Sequence, residues 1–147
     1  MFKHQQSLFK KSLKTTLICF CFLSSLPAFS EQKTESKKHV LDQELNKCFQ
    51  DFPGTTSKKN CIYKVFPKWE KRLQKYYLLL GGSDNKALYA SQQAWINYRK
   101  KQEAYILKRY DYDGTLYRLL EADSRLELLR QRTLALEADY HFILMHR

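Results

Sequence analysis

The chain has 147 residues, and its 26 lysines and arginines outnumber its 15 aspartates and glutamates, for a formal charge of +11. This length suits one small domain. The basic excess favours anionic partners, but the sequence has no nucleic-acid-binding motif, and the export signal described next argues against nucleic acid as the ligand.

Residues 1–30 have the pattern of a secretory signal peptide. Four lysines and no acids precede an apolar run from Leu17 to Leu26, and Ala28 and Ser30 are the small residues that a signal peptidase reads. We predict cleavage after Ser30 and a periplasmic or secreted protein. The apolar run is shorter than the roughly 20 residues of a membrane span, so no stable membrane span is expected. The mature chain keeps 22 basic and 15 acidic side chains, a charge of about +7.

The mature chain begins with a polar segment and a short helix. Residues 31–38 are polar and charged, so we predict a disordered leader before the folded helical domain, residues 39–147. Pro53-Gly54 ends the first predicted helix. Its apolar face consists of Leu41, Leu45, Cys48 and Phe52.

Two cysteines, Cys48 and Cys61, remain after the signal peptide. An even pair in an exported protein predicts a disulfide, which should contribute roughly 3 kcal/mol to stability. The alternative is a metal site, but the nearby histidine is a single His39, and two thiols do not fill a tetrahedral shell. We therefore predict the disulfide, and neither a metal nor a cofactor.

The second predicted helix begins at a cap within Thr55-Thr56-Ser57 and ends at Gly81-Gly82. Every third or fourth residue between these limits is apolar, as in a helix with one buried face. These residues are Ile62, Val65, Trp69, Leu73, Tyr76 and Leu80.

The third predicted helix is capped by Ser83 and runs from about Asn85 to Arg109, and Thr115 caps the fourth. We therefore predict an all-α fold, a small antiparallel bundle of three to four helices joined as long hairpins, with one N-terminal disulfide. The apolar stripe of the fourth helix is Leu119, Ala122, Leu126, Leu129, Thr133, Leu136, Tyr140 and Ile143.

The third helix carries polar side chains in an otherwise apolar seam. This seam consists of Leu88, Gln92, Trp95, Arg99, Gln102 and Ile106. A long polar side chain in a seam must find a partner or reach water. We interpret these residues as a structural polar core, in which Glu70 is the candidate partner of Arg99 or Arg132. The alternative, an aromatic ligand platform or anion site, is less common for seam residues. The predicted polar core comprises Trp69, Glu70, Gln92, Trp95, Arg99 and Arg132.

The order of several motifs along the chain is more informative than any one of them. These motifs are Cys48 with Cys61, Trp69-Glu70 with Leu73 and Tyr77, Leu88, Ser91-Gln92-Gln93-Ala94-Trp95 with Tyr98-Arg99, and Gln131-Arg132-Thr133 before Leu136. Their order and spacing resemble the LprI-type family of bacterial secreted proteins, which is named after a lysozyme inhibitor. The resemblance spans about Leu45 to Ala138 and implies a secreted protein with a protein partner, for which a lysozyme-type hydrolase is the candidate.

The chain departs from the pattern of this family at two points. Lys100 stands where the family has an acidic residue, and the places of the family's second cysteine pair fall near Glu103 and Ser124. Losing that pair removes a covalent link between the third and fourth helices. We therefore expect apolar seams alone to hold these two helices together.

The sequence contains no recognisable catalytic pattern, so we predict that the protein is not an enzyme. No histidine lies near a serine or cysteine in a nucleophile motif, and there is no His-Glu metal spacing or glycine-rich phosphate loop. Two loops are candidates for recognition: the disulfide-closed loop from Asp51 to Asn60 and the tyrosine-rich turn from Arg109 to Tyr117. The candidate binding residues are Lys58, Lys59, Arg109, Tyr110 and Tyr112.

Two functions are consistent with these features. The first is a secreted envelope binding protein of the lysozyme-inhibitor type, whose loops place cations and donors against the two catalytic carboxylates of a glycosidase. The alternative is a non-inhibitory structural or accessory module that binds a partner protein or an anionic envelope polymer. The positive charge fits the alternative better, because many lysozymes are themselves basic and repel a cationic partner at long range.

Overall fold

The computed structural model describes residues 39–146, so the predicted signal peptide and leader lie outside the described residues. This range forms no strand and four α-helices: α1 (Val40–Asp51), α2 (Thr55–Leu79), α3 (Lys86–Arg109) and α4 (Thr115–Met145). The predicted all-α fold is confirmed. None of these described helices combines the length and the apolar character needed to cross a membrane.

Contacts between the helices define their directions. The predicted disulfide is confirmed: Cys48 near the end of α1 bonds to Cys61 near the start of α2, with the two Cα atoms 5.9 Å apart. The hydroxyls of Thr55 and Thr115 lie 2.7 Å apart where α2 and α4 begin, and Glu137 binds Arg72 farther along both helices. Thus α2 and α4 run parallel to each other, and α1 and α3 run antiparallel to them.

The core lies between α2 and α4, which pack most extensively against each other. Its members are the central residues of the two predicted stripes, and these positions are confirmed as buried. They are Ile62, Val65, Trp69, Leu73, Tyr76, Ala122, Leu126, Leu129 and Leu136. The prediction is wrong at Ile143, which is exposed. The two helices start together, and α4 is six residues longer than α2, so its last turns extend about 9 Å past the end of α2.

The seam predicted for α3 is only partly buried. Gln92 and Ile106 are the buried residues of α3, whereas Leu88 and Trp95 are partly buried against the core. α3 packs chiefly against α4, and less extensively than α2 does. Because α3 buries few apolar side chains, polar contacts are important to its attachment.

The predicted caps of α2 and α4 are wrong. Both helices begin directly after a glycine, Gly54 or Gly114, without a capping side chain. Thr55 and Thr115 are instead the first residues of the helices, and their hydroxyls bond to each other. The side chains that were expected to cap these helices therefore link them.

The predicted cap of α3 is also wrong, because Asn85 takes the place expected for Ser83. Asn85 Oδ1 accepts a hydrogen bond from the backbone N–H of Leu88 at 3.1 Å. Gly81 and Gly82 have φ values of +102° and +54°, which glycine adopts without steric cost. The two glycines end the preceding helix, and the remaining turn residues delay the start of α3 to Lys86.

Candidate protein-binding surface

The two loops selected from the sequence meet at one end of the bundle. The beginning of α2 and the α3–α4 turn together line an open cavity of about 260 Å³. We call this end the paired-turn surface. It comprises the cavity-lining residues Thr56, Lys59, Asp113, Gly114, Thr115 and Arg118, and the adjoining turn residues Arg109, Tyr110 and Tyr112.

The cavity of the paired-turn surface is lined by two cationic side chains and one carboxylate. Lys59 and Arg118 line the cavity, and α2 and α4 both direct their N-terminal ends towards it. The exposed backbone N–H groups at a helix N-terminus carry a partial positive charge. Three carboxylates oppose this charge: Asp113 lines the cavity, Glu121 lies 3.5 Å from an Arg118 nitrogen, and Asp111 is exposed in the adjoining turn. The cavity is therefore suited to anionic groups, with Asp113 as an unfavourable neighbour.

The structure separates the two lysines that the sequence grouped together. Lys58 and Lys59 lie on the first turns of α2 rather than on a protruding loop, because the helix already begins at Thr55. Lys58 faces α1, where its Nζ atom lies 5.8 Å from the centre of the Phe49 ring. Lys59 lines the cavity. Consecutive residues on a helix point about 100° apart, so only one of the pair reaches the paired-turn surface.

The α3–α4 turn presents its tyrosines differently. Tyr110 is partly buried, its ring lies 5.2 Å from the Arg109 guanidinium, and its hydroxyl accepts a hydrogen bond from Ser124 Oγ at 3.4 Å. Tyr112 is 61% exposed and packs at 5.0 Å against Tyr117. Tyr110 therefore fixes the turn, and Tyr112 has the larger surface available to a partner.

Most members of the predicted polar core lie along the contact of α3 with its neighbours. Arg99 Nε donates to Glu103 at 2.9 Å, and an Arg99 Nη atom lies 3.5 Å from Glu70, the acid selected from the sequence. The Arg99 guanidinium also lies 5.6 Å from the ring of the partly buried Trp95. Trp69 lies apart from this contact, fully buried in the core.

Arg132 has an amide and a hydroxyl as partners rather than a carboxylate. It donates from Nε to Gln92 Oε1 at 3.0 Å and from Nη2 to Ser91 Oγ at 3.1 Å, which joins α4 to α3. Burial lowers the pKa of Arg132, and the more distant charge of Asp139 only partly opposes this effect. The guanidinium therefore depends on hydrogen bonds with neutral groups.

Polar contacts also occupy the places where the resemblance puts a second cysteine pair. Glu103 of α3 lies 3.9 Å from Arg125 of α4, and Ser124 of α4 bonds to Tyr110 at the end of α3. The expectation that apolar seams alone hold the two helices is therefore wrong. Since α3 exposes most of its surface, polar side chains supply links that the narrow apolar contact does not.

A charged cluster around Glu137 was not predicted from the sequence. The Glu137 carboxylate accepts hydrogen bonds from Arg72 Nε at 2.9 Å, from Arg72 Nη2, and from the Tyr76 hydroxyl at 3.0 Å. Burial alone raises the pKa of Glu137, but the hydrogen bonds from Arg72 and Tyr76 outweigh it and hold the pKa below its ordinary value. The cluster therefore keeps a charged carboxylate at the α2–α4 contact.

His39 completes this cluster at the start of α1. Its Nδ1 atom accepts the backbone N–H of Leu41 at 3.1 Å as the cap of α1, and its ring lies 4.5 Å from the Trp69 ring. The buried Nε2 atom has no hydrogen-bond partner and lies 3.7 Å from Glu137. Burial, and then the charge of Arg72, lower the pKa of His39, so the neutral ring is favoured.

A second ion pair ties α1 to α4. Asp42 accepts two hydrogen bonds from Arg130, at 2.8 and 2.7 Å, and these bonds raise the pKa of Arg130. The Arg130 guanidinium lies 5.9 Å from the ring of Trp69, whose buried Nε1 has no hydrogen-bond partner. These charges stabilise the bundle interior, far from the paired-turn surface.

The described residues contain no group of three or more histidine, cysteine or acidic side chains arranged to hold a metal ion. A family model described as lysozyme inhibitor LprI matches residues 50–136 of the chain. In the comparisons with curated proteins and with solved structures, nothing matches. The family match covers α2, α3 and most of α4, and with them both turns of the paired-turn surface.

Proposed function

The chain belongs to the lysozyme inhibitor LprI family, and from this premise we propose that it is a secreted envelope protein that inhibits a lysozyme-type glycosidase. We place the binding surface at the paired-turn surface. The observation that supports this choice is the cavity in which Lys59 and Arg118 lie beside the starts of two long parallel helices.

The chemistry of the target explains how such a surface inhibits. Glycosidases of this kind cleave the sugar bond between two carboxyl groups, which lie roughly 5–10 Å apart. An inhibitor that places cations and N–H donors against these carboxyl groups neutralises their charge and blocks access of the sugar chain to them. Lys59 and Arg118 supply two cations from one cavity, and Tyr112 supplies exposed contact area at its rim.

Charge also determines which enzymes are suitable partners. A chain with a formal charge of +11, or about +7 without the predicted signal peptide, is repelled at long range by a strongly basic lysozyme. We therefore expect faster association with neutral or acidic glycosidases of this class. The association rate with a basic lysozyme should rise when salt screens the repulsion.

The direct test is to titrate the purified protein against lysozymes of several structural types and to follow lysis of a bacterial cell suspension. Inhibition that saturates at stoichiometric protein supports the proposal. An unchanged lysis rate at stoichiometric excess with every type of lysozyme would overturn it.

Variants locate the surface once inhibition is found. Lys59→Gln/Arg118→Gln should weaken inhibition at least tenfold, on the order of the loss expected when two cation–carboxylate contacts are removed. Lys100→Gln/Lys101→Gln removes the same charge from exposed positions on α3 and serves as the matched control. Asp113→Asn should strengthen inhibition, because it removes the acid that lines the cavity. Equal losses in the two double variants would contradict the assignment of the surface.

A further inference from the structure

Four lysines form a row along the exposed side of α2, away from the paired-turn surface. Lys64, Lys68, Lys71 and Lys75 follow one another at helical spacing, and all four are exposed. We call this row the lysine stripe. At 1.5 Å per residue it spans about 16 Å along the helix axis.

The lysine stripe stands on a rigid support. The opposite face of the same part of α2 is buried in the core, where Val65, Trp69 and Leu73 are at most 8% exposed. A helix segment fixed in this way keeps its outward side chains in a constant order and spacing. Only the flexible lysine side chains must adjust to a ligand.

Most of the charge on the lysine stripe is not neutralised within the molecule. Lys68 is paired with Glu44 of α1. In the part of the chain that the structure describes, Lys64, Lys71 and Lys75 have no carboxylate within ion-pair distance. Lys64 and Lys75 instead lie over the rings of Phe52 and Tyr76, at 5.9 and 5.4 Å. Three ammonium groups on one line therefore remain available to an external anion.

We propose that the lysine stripe binds a linear polyanion whose charged groups repeat along the polymer, as the phosphates do in polyphosphate or the carboxylates in a carboxylated polysaccharide. Successive lysines rise by about 4.5–6 Å along α2, so a straight polymer can meet them in turn. A compact anion would contact only one or two of them. Lysine is depleted in the cores of protein–protein interfaces, which favours a polymer over a folded protein as the ligand.

This proposal does not rest on lysozyme inhibition, but it bears on the charge conflict of an inhibitor and a target that are both cationic. A polyanion along α2 would neutralise part of the charge of the chain while leaving the paired-turn surface open. A cationic lysozyme is attracted to polyanions by the same charge interaction, so binding of this chain to such a polymer would bring the two proteins close together.

The test compares two triple variants of the full protein that remove equal charge. Lys64→Gln/Lys71→Gln/Lys75→Gln removes the unpaired lysines of the stripe, and Lys100→Gln/Lys101→Gln/Lys108→Gln removes three exposed lysines of α3. Binding of fluorescently labelled polyphosphate and polygalacturonate is measured by anisotropy at several salt concentrations. Thermal melts confirm that both variants are folded, as expected for changes at exposed positions.

We expect the stripe variant to lose about 100-fold in affinity at low salt, roughly fivefold per lysine, and the α3 variant to lose less than about fivefold. The salt dependence of the affinity should also become shallower in the stripe variant, because fewer counterions are released. A preference for polyphosphate or for polygalacturonate distinguishes the two sources of the anionic groups. Equal losses in both variants, no binding by the wild type, or tighter binding to vesicles containing phosphatidylglycerol than to either polymer would overturn the proposal.

Discussion

The contact between Arg132 and Gln92 allows a direct test of what attaches α3 to α4. Arg132→Met keeps much of the length of the side chain but removes both hydrogen bonds to α3, at 3.0 Å to Gln92 and 3.1 Å to Ser91. Gln92 is only 5% exposed, so water cannot readily replace the lost donor. The substitution therefore leaves a buried amide oxygen without its partner.

The size of the effect follows from the partial burial of this pair. A buried polar group that loses its partner costs about 1–3 kcal/mol, and Arg132 itself is partly exposed, so we expect Arg132→Met to lower the free energy of unfolding by about 1–2 kcal/mol. Gln92→Leu should cost about 1 kcal/mol. The double variant removes both polar groups. It also removes the free-energy cost of burying the Arg132 charge, the same burial that lowers the pKa of this side chain. Its free energy of unfolding should therefore lie within about 0.5 kcal/mol of the wild-type value.

Urea unfolding of the wild type, the two single variants and the double variant measures this coupling. Hydrogen exchange provides a second measurement, since Arg132→Met should speed exchange of the α3 amides more than that of the α2 amides in the core. If the losses of the single variants add in the double variant, the two side chains act independently and the reasoning is refuted. Equal changes of exchange in α2 and α3 would show that the effect is not local to α3.

Three further stability predictions concern other parts of the bundle. Glu137→Gln should lower the free energy of unfolding, measured in urea, by about 2–4 kcal/mol, because a charged acceptor at the α2–α4 contact is lost. Glu127→Gln is the control, since this carboxylate is 47% exposed, and it should lower the free energy of unfolding by less than about 0.5 kcal/mol. The folded state holds the pKa of His39 below 6.5, so the contribution of the neutral ring to the free energy of unfolding is fully present above pH 6.5 and is lost as the pH falls towards the lowered pKa. His39→Asn keeps a capping acceptor and should abolish this part of the pH dependence of stability. An unchanged pH profile in the variant would contradict the assignment. Cys48→Ser/Cys61→Ser should cost about 3 kcal/mol relative to the oxidised wild type, and reducing agent should then change the wild type but not the variant.

The helices were predictable from the sequence because the information that forms them is local. Apolar residues at helical spacing mark the buried faces of α2 and α4, and Pro53-Gly54 and Gly81-Gly82 interrupt the pattern where the chain turns. The caps were not predictable with the same success. Thr55 and Thr115 are suitable cap residues by type, but each hydroxyl bonds to the other helix, and only the folded structure brings the two together.

The charged cluster around Glu137 and the Asp42–Arg130 ion pair depend on contacts that the sequence does not reveal. Glu137 and Arg72 are 65 residues apart, and Asp42 and Arg130 are 88 residues apart. Each of these side chains, taken alone, resembles the ordinary solvent-exposed charge beside an apolar stripe. Their pairing depends on which helices pack together and on how far one helix is shifted along the other. The local spacing of residues sets neither the choice of neighbour nor the shift.

The structure brings the two loops that the sequence names as candidates to one end of the bundle, but it divides their residues differently. The sequence placed recognition on two loops, and the structure brings the start of α2 and the α3–α4 turn into one surface. The sequence groups Lys58 with Lys59 as cations of one loop, although the predicted second helix already includes both. Consecutive residues on a helix point about 100° apart, so the two side chains do not face one surface. Arg118 was missed because nothing in its local sequence distinguishes it from the other arginines of α4.

The weak attachment of α3 connects the stability of the bundle to the proposed binding surface. α3 is held to α4 by Gln92 near its start, by Glu103 farther along and by Tyr110 at its end. Tyr110 also belongs to the paired-turn surface. A helix with few buried apolar side chains is among the first elements of a protein to open locally. Each opening of α3 disturbs the turn that carries Tyr112, and a partner that binds the ordered turn must oppose that opening. Binding at the paired-turn surface and the packing of α3 should therefore stabilise each other, although Gln92 lies at the far end of the helix.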